Sequence, residues 1–333
     1  MPAVTMFLCL DWIQELGKTL ESIQSKNGIQ LILKKNNLKN TMVRSISFEF
    51  FPPKTPQLEA KLWQSIEQLA PIGPKFVSVT YGAGGTTRNT THKIVKNIIH
   101  DTKLNAAAHL TCVAATKEEV DSVIDDYKSV GVNHIVALRG DMPDMESFQP
   151  HPDGYSSSVE LVEAIKKHGC FDITVSAYPE KHPESSSIEA DVNLLKAKID
   201  AGADQAITQF VFDTDIHLSF RDKIMSEGIK IPVIPGIIPT TNFKGVQGMA
   251  EKCGTSIPEW LSDKYSGLED DFERRQEISI QVAADQCRKL ISEGFDRLHF
   301  YTLNQYKVIS EVCNILGLAT GSEAGSELNG QSK

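Results

Sequence analysis

One unit recurs eight times along this chain and constrains its fold more than any other feature: a short apolar run rich in β-branched and aromatic residues, a polar loop, then a stretch with apolar side chains three and four positions apart. The strand candidates are Ile46 to Phe51, Phe76 to Tyr81, Ala106 to Val113, His134 to Leu138, Ile173 to Tyr178, Gln205 to Phe212, Ile231 to Ile237 and Leu298 to Leu303. Runs such as FVSVTY, HIVALR and ITVSAY are apolar or small almost throughout, the pattern of parallel strands covered on both faces. Alternating strands and helices then require right-handed crossovers. Eight units within residues 44–318 match a closed (β/α)8 TIM barrel, at roughly 250 residues, better than a six-stranded open sheet. The expectation is a single α/β barrel domain that carries the chemistry.

Outside that domain, residues 1–43 are expected to form an N-terminal helix and linker, and residues 319–333 a disordered tail. Ile13, Leu16, Leu20 and Ile23 recur at helical spacing before Asn27-Gly28, whereas ATGSEAGSELNGQSK has no apolar periodicity. Between Pro239 and Asp296 the interval is too long for one helix, and Ser256-Ile257-Pro258 reads as a fresh helix start.

Composition serves mainly to exclude. A formal charge of −9 gives no basic field for nucleic acid. The six cysteines, at 9, 112, 170, 253, 287 and 313, form no CxxC pair and read as buried thiols of a reducing compartment. No apolar run reaches about eighteen residues. The apolar start from Met6 to Leu10 lacks a basic n-region and stops at Asp11. A cytoplasmic protein acting on small molecules, away from membranes and assembled from identical subunits, is expected.

Barrel enzymes build their sites from the C-terminal ends of strands and the loops that follow. The polar residues at those points are Glu49, Thr80-Tyr81, His109, Arg139-Gly140-Asp141, Tyr178, Gln209 and the segment Tyr301 to Asn304. In SFEFF side chains alternate, so Glu49 points away from Phe48 and Phe50 and faces the lumen if the phenylalanines pack beneath helices. Dehydration there should raise its pKa, which suits a general acid near neutral pH. A structural carboxylate paired inside the barrel fits the same position. VALRGD could hold a polar cofactor at the barrel mouth or supply a surface Arg–Asp pair. His109 reads first as a hydrogen-bonded core histidine, with no second histidine beside it to suggest a metal. Gly82-Ala83-Gly84 follows a strand like half a dinucleotide fingerprint, but Thr87 stands at the third glycine position, so a tight βα loop is expected.

Together SFEFFPPKT, KFVSVTYGAGG, AAHLTC, HIVALRGD, SAYPEKHPE, AITQFVFD, PGIIP and LHFYTLN resemble the bacterial-type methylenetetrahydrofolate reductases, over about Ser45 to Leu318. The resemblance implies FAD at the barrel mouth, NADH or NADPH as hydride donor, a reduced folate as acceptor, and no metal. It implies Glu49 as the general acid, with Asp141 tuning the flavin and Gln209 contacting folate and nicotinamide alike. The FAD contacts it implies are Thr80, Tyr81, Ala83, His109, Arg139, Gly140, Asp141, Tyr155, Tyr178, His182, Asp191 and Lys198. Asp141, Gln209 and Gln305 are the implied substrate contacts, although Gln305 stands where the family often has an arginine. Leu194 and Ala197 likewise replace an asparagine and an arginine, for which Lys196 or Asn193 is expected to compensate. The rival readings are a barrel flavoenzyme of the proline-dehydrogenase kind oxidising a small amine, a Schiff-base aldolase or metal-dependent hydrolase, and a non-catalytic scaffold.

Overall fold

The structure is a computed structural model that describes residues 43–81, 87–142, 148–169 and 171–318. The helix and linker expected before residue 43, the loop with Gly82, Ala83 and Gly84, and the expected tail lie outside the described residues. Nine strands form one parallel sheet: β1 (Ser45–Phe50), β2 (Phe76–Val79), β3 (Ala106–Thr111), β4 (His134–Leu138), β5 (Asp172–Ala177), β6 (Gln205–Thr208), β7 (Val233–Ile234), β8 (Gly236–Ile237) and β9 (Arg297–Tyr301). Their order is β7-β6-β5-β4-β3-β2-β1-β9-β8.

The ninth strand arises from a break. Pro235, which has no N–H to give a ladder, divides the expected run 231–237 into β7 and β8. β7 pairs with β6 and β8 with β9, so the two halves of one run meet both ends of the sheet and nearly close the barrel. The expected eightfold repeat is therefore present with one strand split in two.

Ten α-helices alternate with the strands among the described residues: α1 (Pro56–Leu69), α2 (Arg88–Asp101), α3 (Lys117–Ser129), α4 (Ser158–His168), α5 (Ile188–Asp200), α6 (Thr214–Ser226), α7 (Phe243–Cys253), α8 (Glu259–Tyr265), α9 (Phe272–Ser292) and α10 (Tyr306–Ile315). Side-chain caps fix where several start: Thr55 accepts from Leu58 N, Ser187 from Ala190 N, and Thr116 with Glu119 forms a reciprocal capping box. Pro258 caps α8, as the sequence predicts, and α7, α8 and α9 fill the long interval.

Phe48 and Phe50 are fully buried in the shell between sheet and helices, in one cluster with Leu62, Ile66 and Leu69 of α1. Truncating such a phenylalanine to alanine costs about 3–5 kcal/mol. The lumen holds a smaller apolar layer of Phe76, Ala107, Val136, Ile207 and Ile234. Bulky branched residues ordinarily fill a barrel interior. Here the alternation of the strands adds Ser47, Glu49, Ser78, His109, His134 and His299 to the lumen. His134 Nε2 lies 2.7 Å from Thr174 Oγ1, which also accepts from Gln205 Nε2 at 2.9 Å, so this polar layer is internally bonded. The outer shell holds the fold together, and the lumen is left for polar work.

Six strand candidates stop short at their C-terminal ends: Phe51, Thr80-Tyr81, Cys112-Val113, Tyr178, the run after Thr208 and Thr302-Leu303 all lie beyond the paired residues. Among the described cysteines Cys112, Cys287 and Cys313 are buried free thiols, while Cys253 is only half-buried, which corrects the reading of all as buried. No described helix is long and apolar enough to cross a membrane.

Candidate active site

Register places Glu49 beside Ser78 of β2 and Tyr301 of β9. Two imidazoles converge on one of its oxygens: His109 Nε2 at 3.2 Å and His299 Nε2 at 3.5 Å from Oε2. His299 is held from behind, its Nδ1 2.7 Å from Ser47 Oγ. Neither Nε2 has a well-aligned hydrogen-bond partner among the described residues, so these are charge contacts more than directed bonds.

Burial pushes the Glu49 carboxyl up, but the nearby charge of His109, followed by that of His299, outweighs it and holds the pKa at about 2 instead of 4.5. The expected raised pKa is overturned. Alternation along β1 revealed the burial, but not the two histidines that β3 and β9 bring to it. His109 is accordingly a partner of the Glu49 carboxylate rather than a plain core histidine, and His299 reaches the same oxygen, although the described residues hold no group that could bind a metal ion. Sequence reasoning passed over His299, although it sits two residues before Tyr301 on the same strand face, a signal of the kind that exposed Glu49.

Above Glu49 lies a cavity of about 330 Å³ whose wall includes Thr80, Tyr81, His109, Gly140, Asp141, Tyr178, Gln209 and Tyr301. Through Gly140, Asp141, Ser176 and Tyr178 it continues into a second cavity of about 200 Å³ that reaches Arg139, His182, Asp191 and Lys198. Gly140 has φ +86°, and a Cβ there would lie 2.4 Å from Val113 Cγ1 and 2.9 Å from Thr111 Cβ, so only glycine passes. Arg139 ion-pairs with Glu184 and stacks over Phe148 at 4.7 Å, which leaves Asp141 at the junction of both cavities. The surface Arg–Asp pair is thereby excluded.

At the far end His182 packs edge-on against Tyr178, ring centroids 4.7 Å apart. Asp191 accepts from Ser185 Oγ at 2.5 Å and from His182 N at 2.9 Å. Lys198 is buried and donates to Ser176 O at 3.0 Å. Its desolvation outweighs the pull of Asp191 and drives its pKa down to about 8 from 10.5.

Two implied contacts and one expected compensation are not brought to these cavities. Tyr155 gives its hydroxyl to Asp121 at 2.7 Å and lines neither. Gln305 turns back, its N–H on Thr302 O at 2.8 Å, as the cap of α10. Lys196 cannot replace the missing arginine, because it ion-pairs with Glu227 at 2.5 Å. Ala83 lies outside the described residues. Thr111, absent from the sequence reading, lines the first cavity with a buried hydroxyl that has no partner among the described residues. A larger cavity, about 500 Å³, lies by α8 and α9 among ion pairs such as Lys289–Asp215 and carries none of the barrel-mouth residues.

A sequence profile described as methylenetetrahydrofolate reductase matches residues 34–317. The chain belongs to the methylenetetrahydrofolate reductase family. It is 46% identical over 277 residues to the 5,10-methylenetetrahydrofolate reductase of Escherichia coli, covering 83% of this chain and 92% of that protein. It is 36% identical to methylenetetrahydrofolate reductase (NADH) 1 of Arabidopsis thaliana, covering 85% of this chain and 50% of that longer protein. A solved protein of Clostridium thermocellum that binds two copies of 5-methyl-5,6,7,8-tetrahydrofolic acid shares the fold, with a TM-score of 0.54 at 13% identity over 86% of this chain and 98% of its own. Membership in the methylenetetrahydrofolate reductase family gives no support to the proline-dehydrogenase, aldolase, hydrolase and scaffold readings.

Proposed function

We propose that this chain reduces 5,10-methylenetetrahydrofolate to 5-methyltetrahydrofolate, with a reduced nicotinamide as donor and FAD as resident cofactor, in the cytoplasm and as a homo-oligomer. The observation that carries the reading is the buried Glu49–His109–His299 cluster at the floor of a cavity shared with Asp141 and Gln209. The residues present fit a flavin dinucleotide on three counts. Two contiguous cavities suit an elongated ligand, the wall at Gly140 is too close for any side chain, and Thr111 presents an unpartnered buried hydroxyl. Gly140, Asp141, Tyr178 and Thr80 would hold the ring end, and Arg139, His182 and Lys198 the anionic arm. A flavin there would store a hydride between nicotinamide oxidation and folate reduction.

Reduction of the methylene bridge to the methyl level requires the folate's five-membered ring to open to an iminium cation that accepts the hydride, with a proton supplied to the departing nitrogen. The carboxyl of Glu49 is held well below its ordinary pKa in this arrangement, so it acts as donor only after taking up a proton. His109 and His299 hold its Oε2 in place, and Ser47 fixes the ring of His299. A substrate that covers the floor excludes water and strengthens these charge contacts. Asp141, free of the Arg139 pair, faces the same cavity and would favour positive charge on the opened folate. Gln209 is assigned to orient folate and nicotinamide in turn.

The test is an absorbance spectrum of the purified full chain, followed by anaerobic addition of NADH and then of methylenetetrahydrofolate. A flavin spectrum, bleached by the first and restored by the second with formation of methyltetrahydrofolate, is expected. A colourless protein, or a bleached one that the folate does not reoxidise, overturns the reading.

A further inference from the structure

Behind Tyr81, on α3, stands Tyr127, the largest fully buried side chain among the described residues. It belongs to the apolar shell between sheet and helices. A phenylalanine would fill this space without burying a hydroxyl, and a buried hydroxyl costs free energy unless it is bonded. Among the described residues both bonds of the Tyr127 hydroxyl run towards the site. Its oxygen lies 2.9 Å from that of Tyr81, and it donates to His109 O at 3.4 Å. A carbonyl oxygen can only accept, so Tyr127 spends its one proton on His109 and has to accept from Tyr81. Burial pushes both phenols above their ordinary pKa, so each keeps its proton and donation runs one way, from Tyr81 through Tyr127 to His109.

Both ends of this chain belong to the site. Tyr81 lines the catalytic cavity, and His109 brings its ring to 3.2 Å from Glu49. One residue of β3 thus gives its ring to Glu49 and its carbonyl to Tyr127. Two neighbours on α2 close the arrangement: His92 packs edge-on against Tyr127, ring centroids 4.1 Å apart, and Thr91 Oγ1 donates to Thr80 O at 2.9 Å. The first holds the phenol of Tyr127 in place, and the second pins the peptide that joins Thr80 to Tyr81. Fixed at its peptide and at its hydroxyl, Tyr81 presents one orientation of its ring to a ligand in the cavity.

We propose that Tyr127 is a positioning residue, which fixes Tyr81 for the ring end of the flavin and ties that wall to His109 on the floor. The inference rests on the flavin reading above and goes beyond it, because Tyr127 lines neither cavity and acts through Tyr81. Without the Tyr127 hydroxyl, that of Tyr81 loses its acceptor and the ring gains freedom at the wall.

The experiment compares the wild-type full chain with Tyr127→Phe, Tyr81→Phe and the double variant, all of which keep both rings. Each holoenzyme is diluted and FAD release is followed by the recovery of flavin fluorescence, alongside the flavin absorbance spectrum and the unfolding midpoint in denaturant. Tyr127→Phe should weaken FAD retention roughly twofold to tenfold, the worth of one neutral hydrogen bond, and shift the flavin bands. Tyr81→Phe removes the other end of the same bond and should do likewise, and the double variant should add little to either. A double variant whose loss is the full product of the two single losses overturns the inference. So does a Tyr127→Phe chain that is less stable but keeps wild-type FAD retention and flavin bands, since Tyr127 then only packs. A colourless wild-type chain overturns the flavin reading, and the inference falls with it; either of the other failures, seen in a coloured protein, leaves that reading standing.

Discussion

Glu49 and Lys198 are both buried and charged side chains of the same cleft, yet the protein treats them in opposite ways. Around Glu49 it supplies His109 and His299, and the carboxyl is held at about 2, so its charge is secure. Around Lys198 it supplies Asp191, but too little to offset desolvation, and the ammonium is pressed down to about 8. One end carries its own counter-charge, whereas the other is short of negative charge. A floor of the first kind suits proton handling, and an arm of the second kind suits a ligand that brings its own anions.

The comparison breaks most easily at Glu49. If its carboxyl delivers the proton, Glu49→Gln should slow methyltetrahydrofolate formation by about 10² to 10⁴ while leaving flavin reduction by the nicotinamide comparatively intact. Stopped-flow measurement of the two half-reactions separates these. Equal losses in both would make Glu49 a structural carboxylate, the reading its strand position left open.

The next largest effect tests the counter-charge. His109→Ala leaves the buried carboxylate with one imidazole fewer, which should cost about 3–5 kcal/mol. Pairing it with Glu49→Gln should cost less than the sum of the two. In the native protein the Glu49 pKa lies below its unfolded value of 4.5, so its contribution is present above pH 4.5 and is lost as pH falls towards 2. Without His109 the carboxyl rises and that loss moves to higher pH. Denaturant unfolding across a pH series reads the displacement, and an unmoved acid limb counts against His109 as the partner.

These tests turn on what one chain could disclose. The barrel was legible because its period is local: each strand and each helix announces itself within about ten residues. The lumenal position of Glu49 was legible for the same reason, since Phe48 and Phe50 flank it on a strand. Its ionisation was not, because the deciding groups lie 60 and 250 residues further on and reach it only through the registers of β3 and β9. The split at Pro235 was visible as a residue, but its use as the closing seam belongs to the tertiary fold. Compensation by Lys196 failed on helix geometry: two positions from Lys198 is about 200° around α5, so Lys196 faces Glu227 instead of the cleft.

The opposite end gives the smallest and most discriminating effect. Because the folded pKa of Lys198 lies below the unfolded 10.5, the unfolded chain holds its proton between about pH 8 and 10.5 and the folded chain does not. Unfolding then takes up a proton, and this lysine's contribution to stability rises with pH across that window. Below it, keeping the charge buried costs on the order of 3 kcal/mol, from the size of the shift. Lys198→Met should therefore stabilise the cofactor-free protein at pH 7, flatten its stability between pH 8 and 10.5 relative to wild type, and weaken flavin retention. The last two effects have one cause, a cation short of an anion. If the variant keeps its flavin while the pH dependence flattens, the second cavity does not hold the anionic arm, and the contrast with Glu49 is one of burial alone.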